Sequence, residues 1–119
     1  MLPLLDLGSV DRVFFEAISS QIDRLEHVLY DRFAYRTTAG TILGKRELIQ
    51  YLGGHRIRVR SPVILEIDRI TTDRTSVHRG LVRMVVNDES NESTITTGFL
   101  HVWISDDLQW RLGYREATL

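Results

Sequence analysis

Apolar residues recur at helical spacing along the first third of the chain and alternate with period two along much of the rest. Val13, Phe14, Ala17, Ile18 and Ile22 form one helical stripe, with Ser9 as a candidate N-cap and Asp11 in the first turn. Ile22, Leu25, Val28, Leu29 and Phe33 form a second stripe, and Ser19-Ser20 marks a break or kink between the two. Alternation opens at Phe33, where Phe33, Tyr35 and Thr37 oppose Ala34, Arg36 and Thr38. Ala39-Gly40 makes a turn, and residues 41–43 make a short return strand. Gly44 opens a third helix over residues 45–52, which Gly53-Gly54 ends. A long strand follows over residues 57–70. Its Ser61-Pro62 step predicts an edge position or a bulge, because proline cannot donate to the ladder. Residues 76–86 form another strand, residues 87–92 a polar loop, and residues 97–119 a hairpin around a short acidic turn. Helices followed by a meander of long strands predict an α+β fold.

The loops also set a register, because facing residues in a hairpin have a constant index sum. A loop over residues 87–92 makes Val86 face Ser93 and His78 face His101. A turn over residues 105–108 makes Trp103 face Trp110, His101 face Leu112, and Phe99 face Tyr114. Opposed residues share a face. One face then carries Ser76, His78, Val82, Met84, Phe99, His101, Trp103, Leu112 and Tyr114. It is aromatic and nearly free of charge until Glu116, which predicts a concave side covered by the helices. The other face mixes Arg79, Arg83, Arg111 and Arg115 with Leu81, Val85, Leu100, Val102 and Ile104. That patch is too apolar to be wholly wet. It predicts a homodimer through the convex sheet face, with the arginines at its rim. The alternative is cover by a helix or by the C-terminal segment of the same chain.

The histidine pair is the main lead to chemistry. Imidazole titrates near neutrality, so His78 and His101 are candidate catalytic residues for proton transfer. Tyr35, Met84, Phe99, Trp103 and Tyr114 are the candidate ligand-binding residues, with the two tyrosine hydroxyls orienting the ligand. Each has a structural alternative: hydrogen-bonded core histidines, an aromatic core, and a Trp103/Trp110 pair that stabilises the hairpin. A metal would need a third ligand. Glu116 is the only carboxylate assigned to that face, four residues beyond Leu112 and roughly 13 Å away, so no metal is assigned. Arg56, Arg58 and Arg60 alternate on one strand, as a solvated edge or as contacts for an acidic ligand.

Bulk properties narrow the field. The 119 residues suit a single domain spanning 1–119, with a core that needs no metal or disulfide staple. Fifteen basic residues against 16 acidic ones give no bulk pull toward nucleic acid or an anionic membrane. With no cysteine there is no disulfide, thiolate nucleophile or Cys-ligated metal. No apolar run approaches the roughly 20 residues a bilayer requires. Residues 1–7 are apolar but short and lack a basic leader, so a cytoplasmic location is the default. Asn91-Glu92-Ser93 then reads as a polar turn rather than a glycosylation acceptor. There is no phosphate-binding glycine loop, His-Glu-x-x-His helix, nucleophile elbow or RNA-stacking motif.

Three stretches resemble the nuclear transport factor 2-like superfamily, in particular its small SnoaL-like and DUF4440-type bacterial domains. They are LEHVLYDRFAYRTTAGTILGKRELIQYL (residues 25–52), TSVHRGLVRMVV (75–86) and HVWISDDLQWRLGYREAT (101–118). The resemblance implies a cone: a curved antiparallel sheet wrapped around N-terminal helices, with a pocket at the open end. It implies no single activity, because the superfamily holds isomerases, cyclases, dehydratases, hydrolases and binding or oligomerisation modules. Its isomerase-like members carry an acidic base in the first strand, where this chain has Thr37 or Thr38. Their helix tyrosine also lacks a counterpart, since Phe14 and Phe15 occupy that region. The expectation is therefore a pocket for a mostly apolar small molecule, with lyase- or isomerase-type proton transfer by His78 and His101 and no cofactor. Against it stands a non-catalytic homodimeric module whose cavity is filled by its own side chains and whose histidines are satisfied by protein atoms.

Overall fold

Helix α1 (Val10–Ser20) presents Val10, Val13, Phe14 and Ala17 to the interior at helical spacing, and all four are buried. These assignments come from a computed structural model, which describes residues 6–54 and 57–118. Arg56, the first of the alternating arginines, and the start of the apolar segment 1–7 lie outside the described residues. After α1 the chain breaks at Gln21, as Ser19-Ser20 predicts, into a 3-10 turn (Ile22–Arg24) and the short helix α2 (Leu25–Val28). The second helical stripe was expected to run on to Phe33. It stops at Leu29, whose extended backbone (φ −89°, ψ 136°) starts β1 (Leu29–Arg36). Leu25, Leu29 and Phe33 are four residues apart, a spacing that fits a helix turn and a strand face equally well.

Strand β2 (Ile42–Gly44) returns beside β1 and leads into α3 (Lys45–Gly53). The Glu47 carboxylate accepts a hydrogen bond from the Gly44 backbone N–H (3.2 Å), so α3 is capped from within its first turn. Three long strands follow, β3 (Ile57–Thr71), β4 (Thr75–Asp88) and β5 (Asn91–Asp106), and β6 (Gln109–Thr118) closes the order. The six strands lie in the order β2-β1-β6-β5-β4-β3. The sheet is mixed rather than purely antiparallel, because β1 runs parallel to β6 while the other neighbours are antiparallel. Strand β3 is an edge, and its register with β4 shifts between Arg60 and Val63, where Ser61 takes a positive φ of 52°. The Ser61-Pro62 step thus makes both an edge and a bulge.

The β4/β5 register follows the index sum read from the loop: Val86 pairs with Ser93, and His78 pairs with His101. The β5/β6 register does not. The turn is the two-residue Asp107-Leu108, both at positive φ (50° and 66°), a geometry that matches strand twist. It moves the pairing by two residues, so Trp103 faces Leu112 and Ser105 faces Trp110. An even shift leaves faces unchanged. A bulge beyond Leu112 then shifts the register by one more, so Val102 faces Tyr114 and His101 faces Arg115. Gly113 occupies the bulge, where an added Cβ would collide with the Ile104 side chain. The one-residue slip exchanges faces for the rest of β6. Tyr114 and Glu116 move to the convex side, and Arg115 moves inside, where it is 4% exposed.

Helices and sheet enclose one apolar cluster on the concave side, with Phe14, Phe15, Phe99, Trp103, Leu25, Leu29 and Leu112 at its centre. On the convex side Leu81, Val85, Leu100, Val102 and Ile104 are half-buried.

Candidate functional site

The concave face holds two adjoining regions. At the closed end a polar network is sealed in the core around Asp11, which is 1% exposed. Its Oδ2 accepts from His78 Nδ1 (2.6 Å), and its Oδ1 accepts from His101 Nδ1 (2.8 Å) and Trp103 Nε1 (2.9 Å). Burial alone would raise the Asp11 pKa. The hydrogen bonds from His101, His78 and Trp103 outweigh it and hold the carboxyl well below the usual carboxylate range. Asp11 is therefore ionised and accepts only, so each histidine carries a proton on Nδ1.

The outer ring nitrogens are also occupied. His101 Nε2 lies 2.6 Å from Arg115 Nη1, and because a guanidinium only donates, this nitrogen accepts. His101 is thereby fixed as the neutral Nδ1-protonated tautomer. Burial, with the Arg115 charge beside it, pulls its pKa down to about 4, against the opposing pull of Asp11. His78 Nε2 meets Ser76 Oγ at 2.7 Å, and that hydroxyl meets Thr71 Oγ1 at 2.8 Å, at the exposed end of β3. The described buried side-chain atom without a hydrogen-bond partner is Arg111 Nε, which lies outside this network. A buried carboxylate is tolerable only with partners of this kind. Here they come from β4 and β5, with Arg115 of β6 behind His101, so the network ties the first helix to the sheet.

At the open end lies a cavity of about 820 Å³, bounded by α1, α3 and all six strands. Its wall is mainly apolar, with Phe14, Tyr35, Leu48, Val59 and Met84 among its residues. Threonines 37, 38 and 41 from the β1–β2 region, with Thr96 and Thr97 of β5, add hydroxyls. Arg115 is its one charged side chain among the described residues, and it links the two regions. The guanidinium carbon sits about 5 Å from the ring centres of Phe14 (5.2 Å), Phe15 (5.3 Å) and Tyr35 (5.1 Å).

Not all of the residues expected at the site come together. Tyr35 and Met84 line the cavity. Phe99 (1% exposed) and Trp103 (0%) pack deeper and do not reach it. His78 and His101 do meet, as the register requires, but both are fully buried with each ring nitrogen bonded to protein. Neither offers a nitrogen to the cavity. Tyr114 is corrected outright: the bulge puts it on the convex face, where its hydroxyl donates to Glu116 Oε1 (2.9 Å). The same slip carries Glu116 away from the histidines, so a His-His-Glu ligand set does not assemble. Arg60, read as a candidate ligand contact, bonds Glu92 and Asn87 instead.

Two residues of the site were not singled out from sequence. Asp11 was read only as a first-turn acid, yet it precedes Phe14, Phe15 and Ile18 by three, four and seven residues. It therefore interrupts the apolar stripe itself, a signal that was available. Arg115 carried no such signal, because its inward placement depends on the bulge.

No known protein-family model matches the chain, and no curated protein matches it. Solved structures do. An NTF2-like protein from Cytophaga hutchinsonii superposes with a TM-score of 0.87 at 18% identity, over 94% of this chain and 93% of that one. An NTF2-like protein of unknown function in nutrient uptake from Rhodospirillum rubrum gives 0.86 at 13% identity, over 97% and 98%. The association domain of C. elegans CaMKII gives 0.78 at 13% identity, over 96% and 93%. The chain has the NTF2-like, cystatin-like α+β cone.

Proposed function

We propose that this protein binds a small, mostly apolar molecule inside the cone. The observation that carries this reading is an open cavity of about 820 Å³ whose apolar wall is broken by one buried guanidinium. That size lies in the range of small-molecule sites, and so does the pattern of apolar lining with few polar groups. The candidate ligand residues become Tyr35, Met84 and Arg115. His78 and His101 act behind them as positioning residues: they hold Asp11 and Arg115 rather than exchange protons with the ligand. Among the described residues the cavity wall has no carboxylate or imidazole, so binding is better supported than lyase or isomerase chemistry. Nile red, a neutral apolar dye, tests the reading. Wild-type protein should bind it with a blue-shifted, saturable signal, and Met84→Trp, which pushes a bulky ring into the cavity from its wall, should weaken that signal while remaining folded. Equal binding by both proteins would sink the assignment.

A second reading concerns assembly. The apolar convex face and the likeness to an association domain support a homodimer through Leu81, Val85, Leu100, Val102 and Ile104. Arg79 and Arg83 stand beside this patch on β4, while Asp68 and Glu66 pair with β4 from β3. Both signs of charge thus border the apolar strip, an arrangement that a two-fold contact can pair across its axis. Light scattering after chromatography should give a dimer for the wild type and a monomer for Val102→Asp. A wild-type monomer would refute this contact.

A further inference from the structure

We propose that the cavity selects an amphipathic monoanion, with a carboxylate paired to Arg115 and an apolar body toward the mouth; this rests on the ligand-pocket reading above. Arg115 is 4% exposed, yet it forms part of the cavity wall. A guanidinium has five N–H donors. One donor on Nη1 goes to His101 Nε2, and Tyr35 adjoins the group. With His101 and Tyr35 taking up at most part of that set, and with Arg115 in the cavity wall, donors remain for a ligand there. Among the described residues no carboxylate lies within ion-pair reach of Arg115. The nearest one in the network, Asp11, stands on the far side of the His101 ring. The guanidinium is thus held, oriented and only indirectly compensated.

The geometry favours one class of partner. A planar fork of donors matches a carboxylate or a phosphate oxygen pair. A phosphate monoester brings nearly two charges, and the wall offers a single cation. Its remaining surface is mostly apolar and threonine-lined, unsuited to solvating the excess. A carboxylate brings one charge and leaves an apolar body for Phe14, Leu48, Val59 and Met84. The imidazole between Asp11 and Arg115 also keeps the internal carboxylate from competing for the cavity face.

The test is competition against bound Nile red by octanoate and its neutral isostere octanamide, with octyl phosphate as a third competitor. Wild-type protein should bind octanoate about tenfold or more tightly than octanamide, as expected for a charge-assisted contact, and octyl phosphate more weakly than octanoate. Arg115→Gln should erase the octanoate preference, and Arg115→Lys should restore part of it. Circular dichroism checks the fold of each variant, and if neither folds, the wild-type comparison decides alone. If octanamide displaces the dye as well as octanoate does, the pocket stands and the anion inference falls. If octyl phosphate binds tighter than octanoate, the monoanion choice falls. If no competitor displaces the dye and Met84→Trp binds it as tightly as the wild type, the pocket reading fails and takes this inference with it.

Discussion

The closed and open ends of the cone use polar groups in opposite ways. At the closed end Asp11, His78, His101 and Trp103 each find their side-chain hydrogen-bond partners inside the protein. At the open end one guanidinium faces a large apolar cavity with donors to spare. Two histidines side by side on a sheet face invite a catalytic reading, but hydrogen-bond accounting reverses it. A histidine whose two nitrogens are both bonded in the core is a strut. The group that can meet a ligand is the one at the boundary.

The contrast predicts that the closed end is sensitive in stability and the open end in binding. The largest effect should come from Asp11→Ala, which leaves two imidazoles and an indole N–H without their shared acceptor. Urea denaturation should show a loss of about 3–5 kcal/mol, the range for breaking a buried charged network. A loss under about 1 kcal/mol, within the range of a single hydrogen bond, would mean that the network does not anchor α1.

Acid should weaken the same end next. His101 is neutral in the fold because burial holds its pKa at about 4, whereas its ordinary value is 6.5. Below that ordinary value the unfolded chain takes up a proton that the folded one refuses. Stability should therefore be unaffected by this group at neutral pH and fall as pH drops from about 6.5 to about 4. At about 1.4 kcal/mol per unit, the total is about 3 kcal/mol. Asp11, held low in the fold, adds to the loss in still stronger acid. His101→Gln, with no imidazole to charge, should lack the slope between those two pH values. An unchanged slope in that variant would reassign it to another group.

The smallest effect should come from the outer end of the relay. Ser76→Ala removes the hydroxyl between His78 and Thr71 while leaving Asp11 its three donors. A loss of about 1–2 kcal/mol is expected, with Nile red affinity unchanged. A change in dye affinity from so remote a site would blur the division between the two ends.

The sequence revealed much of this arrangement, for identifiable reasons. The β4/β5 hairpin could be registered because its loop was correctly centred, and that alone brought His78 opposite His101. The break after α1 and the edge character of β3 followed from Ser19-Ser20 and Pro62. The β6 half of the site could not be read. Strict alternation carries a face assignment only until a bulge, and Gly113 is also compatible with an ordinary strand. Tyr114 and Arg115 were exchanged for that reason. The sealing of the histidines was hidden for another: it depends on Asp11, whose contacts with them cross 67 and 90 residues.

Those separations bear on how the molecule is assembled. Asp11 bonds Trp103 across 92 residues, so the most deeply buried polar contacts are also among the most distant along the chain. Closing such loops costs entropy before any contact repays it, and folds dominated by distant pairings mature in milliseconds to seconds rather than microseconds. Helix α1 can coil early, but its carboxylate stays hydrated until both of its imidazole partners and the indole have been laid down in adjoining strands. The carboxylate that anchors α1 is thus sealed only by contacts that span most of the chain.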